Sequence, residues 1–208
     1  MQQCPLCTGE ASQFYQDQRN FYQCSNCQGV FDDPTQHPSG SQEHARYETH
    51  NNDVNDPGYQ QFVSPITNHV LQHFKPTDSG LDFGAGPGPV ITKLLNEQGY
   101  NPALYDPFYA PDPLVLEKKR DYIICCEVIE HFHHPAEEFQ RLRGLLKPNG
   151  QLVCMTDLFN EGLNFDKWYY KSDETHVFFY HEHSLEYIKD AFGFSDLHID
   201  GRLVVFGA

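Results

Sequence analysis

Cys4, Cys7, Cys24 and Cys27 read C-x2-C-x16-C-x2-C, a spacing that fits a four-thiolate zinc site. Each C-x2-C turn presents two sulfurs, and two such pairs complete a tetrahedron with Zn–S near about 2.3 Å. Two disulfides would use the same residues. Met1 is followed by neither a basic start nor an apolar stretch, so the expected compartment is the cytoplasm, where thiols stay reduced and the metal is favoured. Four thiolates leave no open coordination position, so the expected role is structural. About thirty residues bury too little apolar surface to fold alone, and ligation supplies the missing free energy. Cys125, Cys126 and Cys154 lie in the apolar runs "YIICC" and "QLVCMT" and read as small buried hydrophobes.

The second group with chemical potential is "LDFGAGPGPV", residues 81–90, with Asp82 just ahead of Gly84, Gly86 and Gly88. Glycines let a ligand approach the backbone closely, and a helix N-terminus behind them adds positive potential. A dinucleotide site wants G-x-G-x-x-G, but Pro89 holds the last position. A carboxylate at the strand end disfavours a pyrophosphate and favours an ammonium or sulfonium. Asp106, eighteen residues after Gly88, can accept hydrogen bonds from ribose hydroxyls.

These residues need elements to hold them. From residue 80 the pattern alternates: strand "GLDF", helix "PVITKLLNEQG", strand "PALYD", strand "DYIICC", helix "PAEEFQRLRGLLKPNG", strand "QLVCMT", helix "SLEYIKDAFG", then two closing strands around "GR". This predicts an α/β fold, a mostly parallel sheet covered by helices on both faces, ending in an antiparallel hairpin. The glycine loop is its first strand-to-helix turn, where ligands of open α/β sheets bind. Tyr59, Phe62, Ile66, Val70 and Phe74 predict an amphipathic helix with Pro65 early in it. Residues 32–61 are polar and rich in turn formers, a linker or mobile cover. The expected organisation is 1–33 zinc-ribbon-like module, 34–75 linker and capping helix, 76–208 main domain.

The 208 residues carry 14 basic and 29 acidic side chains, a net charge of −15. Such a field repels polyanions, and residues 1–33 hold Arg19 as their one base against Glu10, Asp17, Asp32 and Asp33. Nucleic acid is therefore not the expected partner. No apolar run approaches the ~18 to 20 residues of a membrane span.

Taken together, "LDFGAGPG", Asp106, "CCEVIEHFHHP" and "LLKPNGQLV" resemble, in order, the motifs of class I S-adenosylmethionine-dependent methyltransferases, across residues 80–156. The resemblance implies a Rossmann-like fold with S-adenosylmethionine as cofactor. Asp82, Gly84, Ala85, Gly86 and Gly88 would wrap the methionine moiety, Asp106 would hold the ribose, and Glu127 and Val128 would flank the sulfonium; Glu130 and His131 would support the strand end. Between Asp106 and Asp121 the family places a helix and another strand, of which "PLVLEK" reads as a vestige, and no counterpart of the adenine-binding acid is evident. The Cys4 segment followed by "EHARYETHNNDVNDPGY" also resembles bacterial methyltransferases with an N-terminal zinc segment, sugar C-methyltransferases among them. In the family the face above the sulfonium often comes from the segment after the fifth strand, here residues 157–183. A base is expected there: His176 first, then Tyr180 and His181, since histidine titrates near neutral pH. The competing reading makes "THVFFY" a core element, and makes Trp168, Tyr169 and Tyr170 packing rather than a substrate wall. His131, His133 and His134, or His181 and His183, match no metal-binding spacing and read as loop residues. The expected acceptor is a small hydroxylated or amine-bearing metabolite, sugar-derived among the options. The alternatives are a protein or RNA recruited through the zinc module, and a non-catalytic scaffold whose module docks a protein partner.

Overall fold

The structure is a computed structural model that describes residues 2–49 and 53–208. In chain order the elements are β1 (Gln2–Gln3), β2 (Glu10–Gln16), β3 (Asn20–Cys24), β4 (Val30–Asp32), α1 (Gly40–Tyr47), α2 (Pro57–Phe62), α3 (Ser64–His73), β5 (Gly80–Phe83), α4 (Val90–Glu97), β6 (Ala103–Tyr105), β7 (Arg120–Cys126), α5 (Pro135–Leu145), β8 (Leu146–Met155), β9 (Phe178–Phe179), α6 (Glu182–Phe192), β10 (Asp196–Asp200) and β11 (Leu203–Gly207).

Six strands make one mixed sheet in the order β10-β11-β8-β7-β5-β6. β6, β5, β7 and β8 run parallel, and β11 and β10 close the edge antiparallel. Strand periodicity explains its two faces. Leu81, Ile123, Cys125, Leu152, Cys154, Val204 and Phe206 point to one side, against Phe139 and Leu142 of α5 and Leu185 and Ile188 of α6. Tyr122, Ile124, Val153, Met155 and Val205 point to the other, against Ile66 and Val70 of α3 and Val90, Ile91 and Leu95 of α4. The chain leaves central β5 for β6 on one side and returns to β7 on the other. Strand order thus reverses between β5 and β7, the place where such sheets bind ligands.

Three expectations change. The vestigial strand at "PLVLEK" is a 3-10 turn, Pro113–Glu117, entered through Pro113 and capped by the Asp112 carboxylate, so β6 is left as the sheet's edge. The helix expected from Tyr59 to Phe74 is two, α2 and α3, meeting at Val63; Asp56 caps α2 through the N–H groups of Gly58 and Tyr59, and Pro65 occupies the first turn of α3. The linker is not structureless: Ser39 and Gln42 form a capping box that starts α1. Residues 50–52 of that linker, which also fall within the motif compared with zinc-bearing methyltransferases, lie outside the described residues.

The boundary drawn at residue 33 is not a structural one. The N-terminal antiparallel sheet has the order β1-β2-β3-β4-β9, and its last strand comes from the other end of the chain. Val30 faces Phe179 and Phe31 faces Phe178 across that pair. Phe21, Val30, Phe159, Phe165, Trp168, Tyr170 and Phe179 then bury one another in a core shared by the N-terminal sheet and residues 159–179. No helix of the described residues is long and apolar enough to cross a membrane.

Candidate active site

A cavity of 790 Å³ opens at the C-terminal ends of β5, β6 and β7, over the strand-order reversal. Its floor is the glycine loop. Gly84 (φ 78°) and Gly86 (φ 61°) adopt left-handed backbone, and a Cβ on Gly84 would lie 2.5 Å from a Val128 methyl. Only glycine satisfies both conditions at residue 84. Asp106 sits opposite, accepting from Gly86 N–H at 2.9 Å through one carboxylate oxygen and from Phe108 and Tyr109 N–H at 2.8 and 3.0 Å through the other. Three backbone donors hold the carboxylate at the mouth of the loop and leave one lone pair available. Gly84, Ala85, Gly86, Gly88, Asp106, Glu127 and Val128 all line the cavity.

Asp82 does not. Its side chain is buried and accepts from Thr92 Oγ1 of α4 at 2.7 Å, and burial pushes its carboxyl up to about 6. Strand alternation explains the correction: Asp82 points to the face opposite Leu81 and Phe83, under the start of α4, so it braces the loop from behind.

At the end of β7, Glu127 is a non-glycine residue at φ 52°, a conformation that costs about 1–2 kcal/mol. Arg202, in the turn between β10 and β11, clamps its carboxylate with two contacts of 2.7 Å. The same guanidinium donates to Tyr169 Oη at 2.9 Å and stacks over the rings of Phe62 and Tyr170. Below this pair Glu130 is fully buried and accepts from the hydroxyls of Tyr170 and Thr156. Burial and Glu130 push Glu127 up to about 8, and burial pushes Glu130 up to about 7. One guanidinium nitrogen of Arg202 meets both Glu127 oxygens, the contact of an ionised carboxylate, so the shared proton near neutral pH resides on Glu130, whose hydrogen bonds come from hydroxyls rather than from Arg202.

Of the three expected bases, two lie elsewhere. Tyr180 is fully buried in the core beneath α5 and donates to Ile129 O at 2.9 Å. His181 caps α6, its Nδ1 accepting from His183 N–H, with Nε2 3.2 Å from Glu161. Neither lines the cavity. His176 does, but burial and the nearby His131 hold it down at about 3, too weak a base at neutral pH. His131, read from sequence as support for the strand end, also lines the cavity and is the more exposed of the two. Both imidazoles face a carbonyl at 2.8 Å through Nδ1, Thr175 O for His131 and Tyr170 O for His176. A carbonyl only accepts, so Nδ1 carries the proton and Nε2 the lone pair. Burial lowers His131 as well and keeps it neutral. Glu130, His131 and His176 bring one ligand atom each within 4.8 Å of one another. Trp168 belongs to the aromatic core, while Tyr169 and Tyr170 border the cavity.

Arg202 had no signature in the sequence beyond being the base in the turn of the closing hairpin. β11 runs antiparallel to β8, with Leu203 opposite Met155, which returns that turn to the edge of the sheet where the cavity opens. The cavity's other unforeseen wall is α1, through Glu43, Arg46 and Tyr47.

Residues 57–199 match the family described as methyltransferase domain. The chain belongs to this family of methyl-transferring enzymes. An 82-residue stretch is 33% identical to a ubiquinone biosynthesis O-methyltransferase of Histophilus somni (strain 2336), covering 38% of this chain and about a third (34%) of that relative's length. Among solved structures, a Burkholderia thailandensis 1,6-didemethyltoxoflavin-N1-methyltransferase with bound S-adenosylhomocysteine superposes with a TM-score of 0.55 at 17% identity, over 96% of this chain and 98% of that one. An O-methyltransferase family protein from the same organism gives 0.55 at 13%, over 83% of this chain and 64% of its own. At such identities these structures share the fold. The mixed sheet and the glycine loop of this methyltransferase-family chain are therefore those of a Rossmann-like class I domain, while residues 1–56 lie outside the family match.

The four N-terminal cysteines do meet. They are buried, their sulfurs lie within 4.8 Å of one another, and the Cys4–Cys27 and Cys7–Cys24 separations are 3.7 and 3.4 Å. No S–S bond joins any of the four. "CPLCTG" and "CSNCQG" fold alike: Cys4 N–H donates to Gly9 O and Cys24 N–H to Gly29 O, both at 2.9 Å, with Thr8 and Gln28 left-handed.

Proposed function

We propose that this chain transfers a methyl group from S-adenosylmethionine to a small metabolite. The observation that carries the reading is the Gly84–Gly88 loop with Asp106 hydrogen-bonded across it at the strand-order reversal. In that frame the loop takes the methionine portion, Asp106 offers its remaining lone pair to a ribose hydroxyl, and Glu127 and Val128 stand beside the sulfonium. The sulfonium supplies the leaving group, so the chain's own task is placement and, for a hydroxyl or ammonium acceptor, removal of a proton. His131, neutral and with Nε2 unprotonated, fits that second task better than His176. The cavity of 790 Å³, bordered by Phe62, Tyr169 and Tyr170, suits a compact acceptor. The O-methyltransferase of Histophilus somni and the N1-methyltransferase of Burkholderia thailandensis favour an oxygen or nitrogen atom as the acceptor.

The four-cysteine cluster fits a structural zinc ion: tetrahedral Zn–S bonds of about 2.3 Å place sulfurs about 3.8 Å apart, close to the separations found. We assign it that role in a reducing cytoplasm.

The test is calorimetric titration with S-adenosylhomocysteine, with NAD as control. Micromolar binding of S-adenosylhomocysteine, weakened at least about tenfold by Asp106→Ala, is expected; binding of NAD alone would overturn the reading.

A further inference from the structure

The carbonyls of loop 170–176 find their partners on two sides. From the cavity, His176 and His131 donate Nδ1–H to Tyr170 O and Thr175 O. From behind, one residue in the turn between β2 and β3 serves four more. Arg19, the base that stood alone among residues 1–33, donates to Lys171 O, to Asp173 O at 3.2 Å, to Glu174 O at 3.3 Å and to His176 O at 3.0 Å. Lys171 and His176 are buried, and a buried carbonyl left without a donor costs about 1–3 kcal/mol. The planar five-donor fork of arginine suits several acceptors at once. Asp32, fully buried, pins that fork at 3.1 Å, and Phe21 lies 4.8 Å beneath it.

Other links run the same way. Asp32 N–H donates to Val177 O at 3.2 Å, Lys171 pairs with Asp17 at 2.6 Å, Tyr15 donates to Asp166, and Ser184 Oγ donates to Cys27 O at 2.8 Å. Gly29, in the second cysteine turn, leaves room for the Phe178 ring, which a Cβ would meet at 2.5 Å.

We propose that the four-cysteine module is a built part of the cavity's acceptor side, and that Arg19 is a positioning residue that sets loop 170–176 and, through it, His131 and His176. Only the word acceptor rests on the methyltransferase reading. The module then needs no macromolecular partner to matter to the reaction; it supplies the rear wall of the site.

Hydrogen exchange of the full chain, read by peptide, tests this together with S-adenosylhomocysteine titration. In Arg19→Ala, amides of 170–177 should exchange at least about tenfold faster, while peptides over 80–90 and 120–128 and the affinity for S-adenosylhomocysteine stay within about twofold. Arg19→Lys keeps the charge beside Asp32 but not the fork, and should loosen the loop as well; protection equal to wild type in the lysine variant overturns the proposal. Cys24→Ser should expose 170–180 together with 2–33, whereas a module that serves only to dock a partner would leave 170–180 protected, and that result also overturns it. Should the wild type fail to bind S-adenosylhomocysteine, the methyltransferase reading falls, and the exchange data still decide what supports the loop.

Discussion

Glu130 and His131 are neighbours in sequence with opposite environments, and each makes a measurable claim. Glu130 is fully buried against two hydroxyls, with a folded pKa of about 7 against an ordinary 4.5. Between those values the folded chain holds a proton that the unfolded chain has released, so stability falls as pH rises through that window. The penalty above pH 7 reaches at most about 3 kcal/mol. Glu130→Gln, which keeps partners for Tyr170 and Thr156, should therefore raise the melting temperature at pH 8 and leave it nearly unchanged at pH 4.5; melting curves across pH read this directly. His131→Asn should lower turnover by about 10²-fold or more, as loss of a general base does, with S-adenosylhomocysteine affinity preserved. A pool of small phenols and amines, with release of S-adenosylhomocysteine as signal, provides the assay. Gly84→Ala meets both a left-handed backbone and Val128 at 2.5 Å, and should abolish cofactor binding in the same calorimetric titration.

At the scale of elements, the closing hairpin does more than end the sheet. Its turn carries Arg202 back to Glu127, Tyr169 and Phe62, joining β7, the segment after β8, and α2 at one guanidinium. Arg202→Met keeps the stem over the rings and removes the fork, leaving Glu127 buried without its cation. The expected result is a melting temperature several degrees lower at pH 8 and a smaller deficit at pH 5, where Glu127 takes up a proton; equal deficits at both pH values would contradict the ion pair. α4 was legible from its apolar periodicity, and β5 and β7 from short apolar runs buried on both faces. α1 was not, because none of its residues is buried and its order comes from a capping box and contacts such as Arg46 with Asp173 at 2.8 Å.

For the whole molecule, the N-terminal sheet takes its last strand, β9, from the far end of the chain and shares a core with the main sheet, so the chain should unfold as one cooperative unit rather than as a module and a domain. Metal analysis is expected to find one zinc per chain, and removing it should shift the single calorimetric transition of the entire protein; two separate transitions would show that β9 does not couple the parts. Net charge of −15 implies that binding of ligands is insensitive to polyanions, and heparin should neither retain the protein nor compete with S-adenosylhomocysteine.

The sequence by itself determined the sheet, the glycine loop, Asp106 and the four cysteines, because each depends on local spacing: a strand period of two, a turn that tolerates only glycine, a C-x2-C knuckle repeated. It misplaced Asp82, whose direction depends on which strand face it occupies, and it sent Tyr180 and His181 to the cavity although they point into the core and onto a helix end. Tertiary structure alone decided that β4 pairs with β9, that Arg19 gathers the carbonyls of a loop some 150 residues away, and that His131 and His176 both reach the cavity with His131 the more exposed. Those outcomes come from long-range strand pairing and from the demand that buried carbonyls and charges find partners, neither of which leaves a periodic mark in the chain.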